Sequence, residues 1–220
     1  MLRIALGLLV LSLSASAATV NFQCLDNNSG TCGTNVAPYI TASLNDLGGG
    51  QVQFLFSNSL PTAGRIREAF IDEGSNNFFS TFTITPTTGT SFVVFTSGTL
   101  PGGNGAPYSF TTDHGAGRTG GAANGVDPGE TLDLRGTLNP GFTFANILSN
   151  LALGPLSTNS LRLGAHVQSL PGGFSEGLIS NYDPPSQSPS PTPEPATFAL
   201  VGVTLIGLVY LRQRKSANNE

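Results

Sequence analysis

Gly48-Gly49-Gly50-Gln51-Val52-Gln53-Phe54-Leu55-Phe56 is the stretch that decides the fold. A triple-glycine breaker is followed by a run in which Val52, Phe54 and Phe56 alternate with Gln51, Gln53 and Leu55. That is the period of a β-strand with one buried face. Working outward, the same signature predicts strands over 19–23, 39–44, 65–71, 78–85, 92–96, 108–111, 131–135 and 161–168, all rich in Phe, Val, Ile and Thr as half-buried pleated surfaces prefer. Between them stand clusters of Gly, Pro, Asn, Asp and Ser, the residues that turns demand. One segment keeps a different period. Phe144, Ile147, Leu148 and Leu151 fall at i, i+3, i+4 and i+7, after Thr143 as an N-cap and before Gly154-Pro155. The expected class is therefore all-β: a β-sandwich, with a jelly roll as the candidate winding, carrying one short helix.

Both ends of the chain lie outside that pattern. At the N-terminus, Met1-Leu2-Arg3, an apolar run over 4–13 and Ala15-Ser16-Ala17 have the order of a secretory signal peptide, 1–17, with cleavage expected between Ala17 and Ala18. At the C-terminus, a proline-rich stretch over 183–192 predicts an extended polyproline stalk that cannot bury a core. Next come Pro193-Glu194-Pro195-Ala196-Thr197, an apolar run to Leu211 and the basic group Arg212, Arg214 and Lys215. Counted from Ala196, the run is 16 residues. At 1.5 Å per residue this is roughly 24 Å against a ~30 Å hydrocarbon core, a marginal permanent span. The positive-inside bias makes the basic group a membrane stop on the cytoplasmic side, with 216–220 a cytoplasmic tail and the body outside. What remains, 18–182, is the right size for one ectodomain.

Between Ala18 and Pro193 there are eleven acidic residues against five arginines and no lysine, a balance of −6. Phosphate contacts need clustered cations, so nucleic acid is not an expected partner. The low charged fraction, 10 % of the chain, together with strong apolar periodicity suits an extracellular β-protein rather than a disordered tail. Cys24 and Cys32, with seven residues between them, predict a local disulfide in an oxidising compartment. Closing so short a loop stabilises a fold by about 2–3 kcal/mol on the chain-entropy model.

Motifs with chemical meaning fail on context. Gly173-Phe174-Ser175-Glu176-Gly177 fits the nucleophile-elbow pattern, yet no histidine follows Ser175, so a hydrolase is not expected. Gly115-Ala116-Gly117-Arg118-Thr119-Gly120 fits a dinucleotide fingerprint, but no apolar helix follows, and a flexible surface loop is expected instead. His114 is expected in that loop and His166 on the outward face of a strand, both solvated. No catalytic residue and no enzyme activity are expected, and no cofactor. The weak exception is calcium, for which Asp72 and Glu73 in one loop and Asp127 and Glu130 in another offer hard oxygen ligands away from any EF-hand spacing. A glycan-binding β-sandwich is the alternative. Since the chain has no Trp, it would stack a sugar on Tyr39, Tyr108 or Tyr182.

The C-terminal unit, Pro193-Glu194-Pro195 followed by the apolar run and Arg212-Gln213-Arg214-Lys215, resembles the PEP-CTERM sorting signal of bacterial envelope proteins. The resemblance spans 193–215. It implies recognition of Pro193, Glu194 and Pro195 by an exosortase, a membrane-embedded processing enzyme, after transient residence in the membrane. Segments 46–54, 127–130 and 161–173 are similar to a recurrent ectodomain of that family, which carries no activity to transfer. The family setting implies a surface or extracellular-matrix protein, with exopolysaccharide as a partner. A plain single-span anchor without processing is the remaining reading.

Overall fold

The computed structural model describes residues 17–85, 91–120 and 124–182. All of them belong to the first of two compact units, 1–183. The expected signal peptide lies outside the described residues except for Ala17. The stalk, the sorting signal with its membrane segment, and the tail lie wholly outside them. Among the described residues no helix is long and apolar enough to cross a membrane.

Ten strands carry the fold: β1 (Ala17–Cys24), β2 (Ile40–Gly48), β3 (Gln51–Asn58), β4 (Arg65–Asp72), β5 (Phe79–Thr85), β6 (Phe92–Phe95), β7 (His114–Arg118), β8 (Thr131–Leu138), β9 (Arg162–Gln168) and β10 (Glu176–Asn181). They form one antiparallel sheet in the order β5-β8-β3-β2-β1-β10-β9-β4-β7-β6. The end strands β5 and β6 approach each other without pairing, so the sheet rolls nearly shut around its core. This corrects the expected sandwich in one respect. The two arms are not separate sheets, because β1 and β10 are hydrogen-bonded to each other from Asn21↔Asn181 to Cys24↔Leu178 and join them into one.

The deciding stretch behaves as its period requires. Val52, Phe54 and Phe56 are fully buried, and their neighbours along β3 are partly or fully exposed. The glycines before it close the β2–β3 hairpin in the left-handed region, at φ 75°, 61° and 77°, where a side chain would be strained. Phe54 packs edge-on to Phe79, ring centroids 5.5 Å apart, and Phe22 lies 6.2 Å from Phe56. Each fully buried side chain of this size contributes roughly 1.5–3 kcal/mol of transfer free energy.

Among the described residues the one substantial helix is α2, Phe144–Leu151, and it starts as expected. Thr143 accepts from the Asn146 amide at 3.3 Å while Asn146 accepts from the Thr143 amide at 2.8 Å, a reciprocal cap. Phe144, Ile147 and Leu151 face the core, and Leu148 packs beside them. A second, four-residue helix, α1 (Cys32–Asn35), and a 3-10 turn at Ala37–Tyr39 lead into β2.

Three local expectations change. Residues 108–111 are not a strand but part of a strap, 96–113, that crosses the outer face of the β10-β9-β4 arm. Its Leu100 and Phe110 bury against Phe70 and Ile179 there. The glycine-rich stretch expected to be a surface loop is strand β7, and Gly115, Ala116 and Gly117 are buried. Gly115 is required by packing, since an added Cβ would lie 2.3 Å from the Phe95 ring. Finally, β10 is a strand that the sequence pattern does not predict.

Candidate functional site

Chain direction places the two ends of the rolled sheet in different roles. β1 begins and β10 finishes at the end that carries the β2–β3 hairpin, since Ala17 pairs with Asn45 and Asn21 with Asn181. The Ala17–Ala18 bond and the exit of the chain after Tyr182 therefore share one end. At the opposite end the loop after β1, the turn before β10 and the β3–β4 connection converge.

That opposite end is built on the Cys24–Cys32 disulfide, which the structure forms. The loop it closes is tied to the start of β10 by several bonds. Asn28 and Ser29 donate their amides to the Glu176 carboxylate at 3.0 and 2.7 Å, and the Gly177 amide donates to Asp26 at 2.7 Å. The Asn28 side chain donates to the Ser175 carbonyl at 2.8 Å, and Asn27 accepts from the Cys32 amide at 3.0 Å. Burial pushes the Asp26 carboxyl above its ordinary value, reinforced by the neighbouring Glu176 and only partly offset by the Gly177 amide. Burial also acts to raise Glu176, but the hydrogen bonds from Ser29 and Asn28 outweigh it and hold that carboxyl below the usual range.

Beside this clamp opens a cleft of about 330 Å³. Ser29, Thr31 and Asn35 from the disulfide loop and the helix after it, Tyr39 and Thr62, and Pro171 with Phe174 from the turn before β10 are among its lining residues. A shallower groove of about 380 Å³ lies on the outer face between Tyr108, Asn181 and the exposed Leu153 and Leu156. Of the tyrosines expected to stack a ligand, Tyr39 lines the cleft. Tyr108 sits on the strap with its hydroxyl 3.4 Å from Gln23 Nε2, and Tyr182 is 9 % exposed within the core, where burial raises its phenol.

The nucleophile-elbow pattern dissolves into this architecture. The Ser175 carbonyl is one of the loop ties, Glu176 is the clamp, and a Cβ at Gly177 would lie 1.9 Å from the Pro101 carbonyl oxygen of the strap. Neither histidine is solvated as expected. His166, 8 % exposed, bonds through Nδ1 to Glu68 at 2.8 Å and through Nε2 to Gln168 at 2.9 Å. The hydrogen bond from His166 holds the Glu68 carboxyl below its ordinary value against the opposing effect of burial. His114 bonds through Nε2 to Glu73 at 2.9 Å, its ring 4.7 Å from that of Phe82.

The calcium candidates are placed by internal bonds. Asp72, fully buried, pairs with Arg162 and accepts amides from Gly74 and Thr111, both at 2.7 Å. Glu73 accepts the amides of Phe78 and Phe79 besides bonding His114. Asp127 pairs with Arg65 at 2.9 Å, and Glu130 accepts the Asp127 amide at 2.8 Å. Among the described residues no group of three or more acidic, histidine or cysteine side chains is arranged to hold a metal ion. Burial and the adjoining Asp72 and Glu73 push Asp113 up, partly offset by the amide it accepts from Glu73.

The least legible residue is Arg162, 2 % exposed on β9. Besides Asp72 it donates to the strap carbonyls of Tyr108 and, at 3.2 Å, Ser109, and its guanidinium carbon lies 5.4 Å from the Phe110 ring centroid. It is the pin that holds the strap. The signal for it in the sequence is only a lone arginine within an otherwise apolar run.

Comparison with known families finds a model of the PEP-CTERM protein-sorting motif matching residues 191–215. The match begins two residues before the Pro193-Glu194-Pro195 triad and ends at Lys215, the last residue of the basic group. The chain matches no curated protein and no solved structure.

Proposed function

We propose that this bearer of a C-terminal PEP-CTERM sorting motif is an exported surface or extracellular-matrix protein of non-enzymatic role, cut and anchored by an exosortase-type enzyme. The single observation that carries the reading is the motif match at 191–215, which covers the triad, the apolar run and the basic stop together. In this reading the leader 1–17 is removed before Ala18, and Pro193, Glu194 and Pro195 are the recognition triad. Arg212, Arg214 and Lys215 hold the unprocessed chain with its body outside. The stalk over 183–192 then spaces the β-domain from the envelope.

The folded body supports this reading without depending on it. A disulfide between Cys24 and Cys32 suits an oxidising, extracytoplasmic compartment. The described body begins and ends toward the same end of the sheet, the end opposite the Cys24–Cys32 disulfide. Both histidines are committed to carboxylates and Ser175 has neither as a partner, which favours display over hydrolysis.

Intact-mass measurement of the native mature protein tests the proposal. The expected mass starts at Ala18, stops before Phe198 and is two daltons below the reduced form. A mass that retains 198–220 overturns processing in favour of a plain single-span anchor, and one that starts at Met1 overturns export.

A further inference from the structure

We propose that the cleft at the disulfide end binds a neutral saccharide, with Phe174 as its stacking platform and Asn35, Thr31 and Thr62 as hydrogen-bonding partners. This inference stands on the described fold alone and is independent of the sorting reading.

The first support is an exposed aromatic held in place. Phe174 is 41 % exposed, although a ring of that size is normally buried. Its position is set by a tight turn: Gly173 donates to the Leu170 carbonyl at 2.9 Å, and Leu170 donates to the Phe174 carbonyl at 3.2 Å. The ring lies against the backbone of Gly172, whose added Cβ would fall 2.6 Å from it. Gly172 leaves the space that the ring takes up in this position, and its φ of 84° favours glycine there. An aromatic face fixed in this way costs little ordering on binding.

The second support is the chemistry of the lining. Ser29, Thr31, Asn35, Thr62 and the Tyr39 phenol bring hydroxyls and an amide to the cleft, and no lining residue is charged. An anionic ligand finds no cation there, and the body is acidic overall. A cation fares no better, because the nearby Glu176 is fully buried with its oxygens turned to the Asn28 and Ser29 amides. Val36, Pro61, Leu170 and Pro171 add apolar lining beside Phe174, but a purely apolar ligand would still strip water from the five polar groups without replacing their hydrogen bonds. A ligand with an apolar face for Phe174 and a rim of hydroxyls satisfies both kinds of lining, and that describes a neutral sugar ring. The volume is at the lower end of the range of about 300–1,000 Å³ usual for ligand clefts, so a short saccharide fits and a long buried chain does not.

The third support is rigidity. The Ser29–Asn35 segment is fixed by the disulfide, the Glu176 clamp and the Asn27 bond to Cys32, so this part of the lining is preorganised as well.

Calorimetric titration of the full chain in detergent micelles is the test, with neutral tetrasaccharides of glucose, galactose and N-acetylglucosamine as probes and a tetra-uronate for comparison. The expected result is saturable binding of at least one neutral probe and none of the uronate. Phe174→Ala and Asn35→Ala should each weaken it about ten-fold. Both side chains are exposed, so their thermal midpoints should match that of the unaltered chain, and Tyr108→Ala should bind normally. Failure of all neutral probes, preference for the uronate, or binding that survives both Phe174→Ala and Asn35→Ala overturns the proposal.

Discussion

The two arms of the sheet solve the same packing problem in opposite ways. In the β5-β8-β3-β2 arm one face meets the core and the other meets water, so β3 alternates strictly between buried and exposed residues. In the β10-β9-β4 arm both faces are covered, the inner by the core and the outer by the strap, so nearly every residue of β9 and β10 is buried. Under the strap, polar and glycine residues on the outer face of that arm, Asp72, Arg162 and Gly164 among them, are interior residues, while Glu68 at its edge is only partly covered. The register shows it directly: Glu68 stands opposite His166, Phe70 opposite Gly164, and Asp72 opposite Arg162. An Asp72–Arg162 ion pair and a Glu68–His166 hydrogen bond occupy two rungs of this ladder, and a glycine seats the strap's Leu100 on the third. A buried strand need not look hydrophobic when its second cover is a loop pinned by one buried ion pair, Asp72–Arg162.

The largest effect expected from this difference is at Arg162. In Arg162→Met, Asp72 stays buried without its cation and the strap carbonyls lose their donor. The loss should be about 3–5 kcal/mol of unfolding free energy by urea titration. Adding Asp72→Asn to the same chain should recover part of it, because the uncompensated charge is gone. A loss below about 1 kcal/mol in the single variant would mean that the pair is solvated and that the outer face is not an interior.

A pair of glycine substitutions separates the arms next. In Gly177→Ala the new methyl meets the Pro101 carbonyl oxygen, so the strap must shift, at a cost of about 3 kcal/mol as in an overpacked core. In Gly49→Ala, at the hairpin of the water-facing arm, nothing lies within 4 Å, and only the left-handed φ of 61° is penalised, by about 1 kcal/mol. Hydrogen exchange distinguishes the two causes. Amides of 100–112 should lose protection in Gly177→Ala and keep it in Gly49→Ala. Equal losses in the two variants, with the strap protected in both, would remove the asymmetry between the arms.

The same asymmetry explains what could be read beforehand. β2, β3 and β8 and the helix at 144–151 follow from alternation, glycine breakers and the Thr143 cap, because each has one wet face and the pattern survives. The disulfide followed from spacing and compartment. β7 and β10 were hidden because Gly115, Gly117 and Gly177 read as loop residues, whereas each is a place where a ring or a carbonyl presses onto the strand. Asp72 and Glu73 looked like exposed ligands because the carboxylate that a cation would take has the same sequence signature as one held by Arg162 or His114. At the candidate cleft, Tyr39 stood among the expected aromatics, but Phe174 did not. The only trace of it was a large ring set among Gly172, Gly173 and Gly177.

The smallest expected effect is the pH response of the Glu68–His166 rung, at the partly open edge of the covered face. Glu68 titrates below its ordinary value when folded, chiefly through its bond to His166. A depressed carboxyl contributes stability above its unfolded value of about 4.3, and that share disappears as pH falls through the lower folded value. Asp26 and Asp113 have the opposite sign. Their raised carboxyls favour the folded state most below their unfolded value of about 3.9, and that contribution is lost as pH rises through the folded values. Glu68→Gln should therefore remove an acid-labile share and leave the opposing pair. Between pH 5 and 3 the variant should lose less stability than the unaltered chain, and the difference should stay under about 1 kcal/mol because the Glu68 side chain is 39 % exposed. Parallel stability curves for the two proteins over that range would show that the rung carries no charge linkage, leaving Asp72–Arg162 as the rung whose charge holds the strap.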